Sequence, residues 1–176
     1  MTACHRIALG LSLVFLIVLD GPNRTSASDA AVHLPRLTLW AWELPESLTF
    51  LNSDEWAVAF LAESVYLEEH PIVRPRMQPL RVGKGMTLIA VIRLEVTPRT
   101  PTTFDASYIE TVAREIAQSG DLPQVRAVQI DFDATRSQRD FYRALLANLR
   151  PLLPPGMLLS ITRWDRGVRE MIGLRG

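Results

Sequence analysis

Five short, almost uninterrupted apolar runs constrain this chain more than any other feature: Leu37–Trp42, Trp56–Leu61, Thr87–Leu94, Val125–Phe132 and Met157–Ile161. Each is rich in leucine, β-branched or aromatic residues and is bounded by proline, glycine or charge, the pattern of a strand. A strand with one wet face alternates. A nearly continuous apolar run implies burial on both faces, as in a parallel sheet. Between the third and fourth runs, Ile109, Val112, Ala113, Ile116 and Ala117 recur at helical spacing, with Asp105 placed as N-cap and Gly120 just past the end. A second helix is expected from about Ser137 to Arg150, with Phe141, Leu145 and Leu149 as its buried stripe and Pro151 forbidding continuation. The β-α-β-α-β series that results calls for parallel pairing through right-handed crossovers. The expected fold class is therefore α/β, the front portion of a parallel β/α barrel (TIM-like) with these five strands.

The front is less regular. Pro45 to Leu51 leaves room for a short helix between the first two strands, and Pro71, Pro75 and Pro79 rule out a long helix between the second and third. The alternation at Val65 and Leu67, and again from Ile72 to Val82, predicts an extended excursion or hairpin there. Inserted loops after barrel strands are common.

The first 28 residues read as an export signal: a short cationic start at His5 and Arg6, an apolar stretch from Ile7 to Leu19, then small residues from Thr25 to Ala31 suited to cleavage. That stretch is short beside the roughly 20 residues a bilayer-spanning helix needs; the alternative is a retained anchor through residues 7–19. Residues 29–36 form a linker, residues 37–162 the partial barrel domain, and residues 163–176 a divergent tail. Export implies a periplasmic or extracellular location, with no membrane contact after signal removal. The only cysteine, Cys4, lies in the leader, so disulfide, thiolate-metal and cysteine-nucleophile chemistry are not expected of the mature chain. Lysine plus arginine and aspartate plus glutamate balance at 19 each, which disfavours nucleic acid or another polyanion as partner. His33 and His70 stand apart from other metal-type ligands, and Gly83-Lys84-Gly85 lacks the spacing of a phosphate cradle. No cofactor and no metal are expected.

The chemistry concentrates in the fourth run, VRAVQIDFDA. A period of two puts Val128, Ile130 and Phe132 on one face and Gln129, Asp131 and Asp133 on the other. Polar side chains on a strand buried on both sides are costly unless they line a solvated cavity or are paired. In a β/α barrel that cavity is the mouth at the carboxyl ends of the strands. Asp131 and Asp133 would stand there as neighbours, suited to divide acid, base or nucleophile roles in glycoside hydrolysis, or to hold a hard cation such as calcium or magnesium. The plainer alternative makes Asp133 a helix cap and Asp131 the acceptor of bonds from an arginine. Arg93 and Glu95 share a face at the end of the third run, where Arg93 can pair with Asp131 and Glu95 can supply a third catalytic carboxylate, or the two can form a strand-end salt bridge. Trp40, Trp42 and Glu43 close the first run. Aromatic rings beside a carboxylate make platforms for sugar rings, or these tryptophans belong to the core.

The segments WAWELPESLTFL, WAVAFLA, RPRMQPLRVGKGMTLIAVIRLEV, VRAVQIDFDATRSQRDFYRALLANLR and LPPGMLLSIT resemble the bacterial secreted proteins grouped as domain-of-unknown-function family 3142. The likeness runs from about Leu37 to Thr162, and QIDFDA followed by FYRALL is its most specific part. It implies a glycosidase-like β/α barrel behind a signal peptide or lipid anchor, with Trp42, Glu43, Arg93, Glu95, Gln129, Asp131 and Asp133 as the matching polar and aromatic positions. QIDFD is also similar to the aspartate-rich strand of family-18 chitinases, whose final acid is a glutamate. Asp133 stands in that place, one methylene shorter, which argues against substrate-assisted chitinase chemistry. After Thr162 the resemblance implies a longer run toward further barrel strands, whereas this chain gives RWDRGVREMIGLRG. That tail carries several arginines and no recognisable sixth strand, as a frameshifted or prematurely ended reading frame would produce. A closed barrel takes about 200 residues or more. A front portion alone leaves its first and fifth edges unpaired, so self-association through open sheet edges is expected.

Together these features lead to an exported glycoside-hydrolase-like enzyme, or its remnant, acting on cell-envelope or extracellular polysaccharide. Asp131, Asp133 and Glu95 are the catalytic candidates, and Trp40, Trp42, Glu43, Arg93 and Gln129 the substrate-binding ones. The alternatives are a non-catalytic glycan-binding envelope protein and an inactive fragment.

Overall fold

A computed structural model describes residues 34–165 and 168–174, by backbone alone from residue 163 onward. The expected leader and most of the expected linker lie outside the described residues. The elements run β1 (Leu37–Ala41), β2 (Glu46–Leu48), β3 (Trp56–Tyr66), β4 (Ile72–Pro75), β5 (Leu80–Val82), β6 (Thr87–Glu95), α1 (Ala106–Gln118), β7 (Val125–Asp131), α2 (Arg139–Leu149), β8 (Leu158–Asp165) and β9 (Val168–Leu174). The main sheet has the order β1-β3-β6-β7-β8-β9. Its first five members are mutually parallel. The five apolar runs are therefore neighbours in the order in which they occur, in a mostly parallel sheet flanked by helices.

Burial on both faces is what the runs predict. All nine positions from Ala57 to Val65 of β3 are buried. On one face Val58, Phe60, Ala90, Ile92, Val128, Ile130 and Leu159 pack against Ile109, Val112, Ala113 and Ile116 of α1 and Phe141, Leu145 and Leu149 of α2. Each large aliphatic side chain sealed there contributes about 1.5–3 kcal/mol. The opposite face carries the smaller set Ala57, Ala59, Ile89, Val91 and Ala127, with Leu34, Trp40 and Leu158 beside it. Both helices thus pack on the same side of the sheet.

The helix ends follow from local chemistry. Asp105 caps α1, its Oδ1 accepting from the Tyr108 backbone N–H at 2.8 Å, and the chain leaves α1 through a 3₁₀ turn at Ser119–Asp121. A 3₁₀ turn at Arg136–Gln138 leads into α2, and Thr135 and Gln138 cap it reciprocally.

Two expectations fail. Pro45 to Leu51 forms no helix: β2 lies there instead, paired in parallel with β5 and fixed by the Glu46 N–H donating to the Pro79 carbonyl at 3.0 Å. A partner distant in sequence overrides the local preference. The tail also carries a strand. β9 runs antiparallel to β8 from the Leu159↔Leu174 pair to Asp165↔Val168, so the fifth run's outer edge is paired. The expected hairpin after the second run is present, with β4 lying antiparallel to the upper part of β3. There the β3–β6 register skips between Leu61 and Glu63. Ala62 is the bulged residue, and its carbonyl accepts the Arg76 backbone N–H at 2.8 Å.

Candidate functional site

Parallel pairing sets Arg93 at the end of β6 beside Asp131 at the end of β7. A cleft of about 180 Å³ opens there, lined by Arg93, Leu94, Glu95, Val96, Asp131, Phe132 and Asp133. Small-molecule sites commonly enclose about 300–1,000 Å³, so this cleft can take the end of a ligand and not wrap it.

The four charged groups differ in how they are held. Asp131 is 2% exposed. The Thr162 hydroxyl from β8 donates to its Oδ1 at 2.7 Å, with the Ile130 carbonyl 3.2 Å from the same hydroxyl. Asp133, just past the strand, is exposed at the rim. Arg93 pairs with Glu95, Nε to Oε1 at 2.5 Å, and both side chains are about one-third exposed. The strand-end salt bridge is thus formed, and Glu95 remains on the cleft wall. The Arg93 guanidinium also lies over the Trp42 ring, 5.7 Å from its centroid, while Trp42 sits 6.0 Å from Trp40 at a 37° tilt.

Other sequence candidates fall outside the lining. Trp40 packs beside the small-residue face of the sheet. Glu43 is exposed and lies close enough to Arg76 to favour that residue's cation. Gln129 is fully buried on β7, and neither its Oε1 nor its Nε2 has a hydrogen-bond partner. Ser160, its register neighbour on β8, likewise has a buried, unpartnered Oγ.

The scaffold behind the cleft is aromatic. Phe132 meets Tyr142 edge-on at 5.3 Å and Phe141 at 6.2 Å, and Phe104 stacks on Phe141 at 4.2 Å. Burial, helped by the nearby Asp131 carboxylate, pushes the Tyr142 phenol well above its ordinary pKa. The loop after β6 is tied down by Glu68: its carboxylate accepts from the Thr97 hydroxyl at 3.3 Å, and its carbonyl accepts from the Tyr108 hydroxyl at 2.8 Å.

Two contributors escape a reading of the sequence. Thr162 had a signal, because alternation in LLSIT puts Ser160 and Thr162 on one face, but pairing that face with Asp131 requires the β7–β8 register. Arg76 had none, lying in a proline-rich excursion. Three carboxylates and one guanidinium on a shared wall supply acceptors and donors for hydroxyl-rich ligands and groups able to take and give protons. Among the described residues, no group of three or more histidine, cysteine, aspartate or glutamate side chains is arranged to hold a metal ion, and no helix is long and apolar enough to cross a membrane. Comparison with family models, curated proteins and solved structures gives no match to this chain.

Proposed function

We propose that this chain is an exported, glycoside-hydrolase-like protein that acts on polysaccharide at the cleft between the ends of β6 and β7. One observation carries the proposal: Arg93, Glu95, Asp131 and Asp133, from two adjacent parallel strands, share one cleft at the carboxyl end of the sheet, where β/α enzymes build their sites. Asp131, oriented by Thr162, is the fixed carboxylate that acts as base or nucleophile. Asp133, at the solvent-facing rim of the cleft, takes the complementary acid role of such a carboxylate pair. Arg93 and Glu95 bind sugar hydroxyls. The scaffold is the front portion of a β/α barrel, supported by the run of five parallel strands with both helices on one face. Membership of domain-of-unknown-function family 3142 belongs to the same proposal and is supported by the QIDFDA and FYRALL stretches. Export is supported by the character of residues 1–28.

The test is release of reducing ends from a panel of bacterial and plant polysaccharides by the purified chain and its Asp131→Asn and Asp133→Asn variants. Each substitution is expected to lower turnover about 10²- to 10⁴-fold, the usual worth of a positioned acid or base, while glycan binding persists. Undiminished hydrolysis in both variants would refute the assignment. Binding without hydrolysis by any form would favour the non-catalytic alternative, in which Trp42 contributes the contact surface.

A further inference from the structure

One polar side chain that does not line the cleft is bound by backbone carbonyls from two segments. Arg76 follows β4. Its backbone N–H donates to the Ala62 carbonyl, one step beyond the Glu63↔Pro75 pair of the antiparallel β3–β4 register. From that fixed point its guanidinium crosses to the end of β1. Nη1 donates to the carbonyls of Ala41, at 3.3 Å, and of Trp42. Nη2 donates to the Leu44 carbonyl at 2.6 Å, and Nε to the Gln78 carbonyl at 2.8 Å. Three of these four acceptors belong to residues 41–44, the last residue of β1 and the segment that leaves it.

A planar guanidinium presents its donors in a fixed fork, so carbonyls bound to it are held in direction as well as distance. The backbone of Trp42 is one of them. The Trp42 ring in turn lies against the Arg93 guanidinium, and Arg93 holds Glu95 on the cleft wall. Glu43 and Glu46 lie near Arg76 and favour its charged form against the cost of its burial.

We propose that Arg76 is a positioning residue for the cleft: by gripping the end of β1 it fixes Trp42, and through Trp42 the orientation of the Arg93–Glu95 pair. This rests on the reading that the cleft is the functional site, yet it makes a claim about geometry that can be checked without turnover. A lysine cannot substitute. Its three donors radiate from one point and cannot serve four carbonyls on two segments.

The experiment compares the full chain with Arg76→Lys and Arg76→Ala by nitrogen–proton NMR of the tryptophan indole and arginine Nε–H groups, with Trp42→Phe and Arg93→Lys used for assignment. Trp56 starts β3 at the opposite end of the sheet and serves as internal control. The expected result is a displaced Trp42 indole resonance and a displaced or lost Arg93 Nε–H, with Trp56 unmoved. Free guanidinium at low millimolar concentration should move the Arg76→Ala signals back toward those of the parent. Trp42 and Arg93 resonances unchanged in both variants would overturn the proposal. So would equal disturbance of Trp56, or loss of folding in both variants, since either would reduce Arg76 to general support. Failure of the hydrolase reading would appear in the Asp131 and Asp133 variants and leave these spectra as they are.

Discussion

Replacing Glu63 with glutamine should remove a pH dependence that the fold itself creates. Glu63 follows the Ala62 bulge, is 9% exposed, and has one carboxylate oxygen buried without a partner. Burial raises its pKa from an ordinary 4.5 to about 7; the Ser119 hydroxyl pulls it partly back and the Glu115 carboxylate pushes it further up. A carboxyl whose pKa is higher in the folded state binds its proton more tightly there, so folding is favoured where Glu63 is neutral. That advantage is complete below about pH 4.5 and is lost as the pH rises through about 7. The gap between the two values corresponds to about 3 kcal/mol, falling away at about 1.4 kcal/mol per pH unit across the window. Glu63→Gln keeps the shape and drops the charge. Its stability relative to the parent should be near zero at pH 4.5 and positive by up to about 3 kcal/mol at pH 8, read from urea unfolding at half-unit steps. A difference that stays constant from pH 4.5 to pH 8 would refute the reasoning, because it would mean that the carboxyl titrates alike in both states.

Thr162→Val removes one donor to the buried Asp131 carboxylate and should cost about 1.5–3 kcal/mol in urea unfolding, the range for a hydrogen bond to a charged group. Gly120→Ala would bring a methyl within 3.2 Å of Leu153 Cδ2 and 3.5 Å of Pro154 Cδ; an overpacking loss of about 1–3 kcal/mol is expected in thermal or urea melts, and an unchanged midpoint would mean that the Leu153 side chain yields freely.

The parallel core was legible because burial on both faces leaves its mark on every residue of a strand. Val125–Phe132 could hardly have been read otherwise. α1 was equally plain, since Asp105 and the stripe from Ile109 to Ile116 announce it together. What escaped depends on partners remote in the chain. β2 is three residues whose only reason to be extended is β5. β9, VREMIGL, is a short mixed segment whose strand character comes from lying along β8. The site divides in the same way. Gln129, Asp131 and Asp133 were visible as one face of one strand, and Arg93 with Glu95 as the end of another; the cleft between them follows from adjacency of the two strands. Thr162 and Arg76 act across registers and a bulge that no local pattern encodes. Strand parity and the family resemblance both group Gln129 with the acids, yet it lies deeper, fully buried and outside the lining.

The returning strand β9 has a topological consequence. Backbone donors and acceptors on the far side of β8 can zip to one neighbour at a time, and from Leu159 to Asp165 that neighbour is β9. A further strand could therefore pair directly with β8 on that side only by peeling β9 away; otherwise the sheet grows from the outer edge of β9.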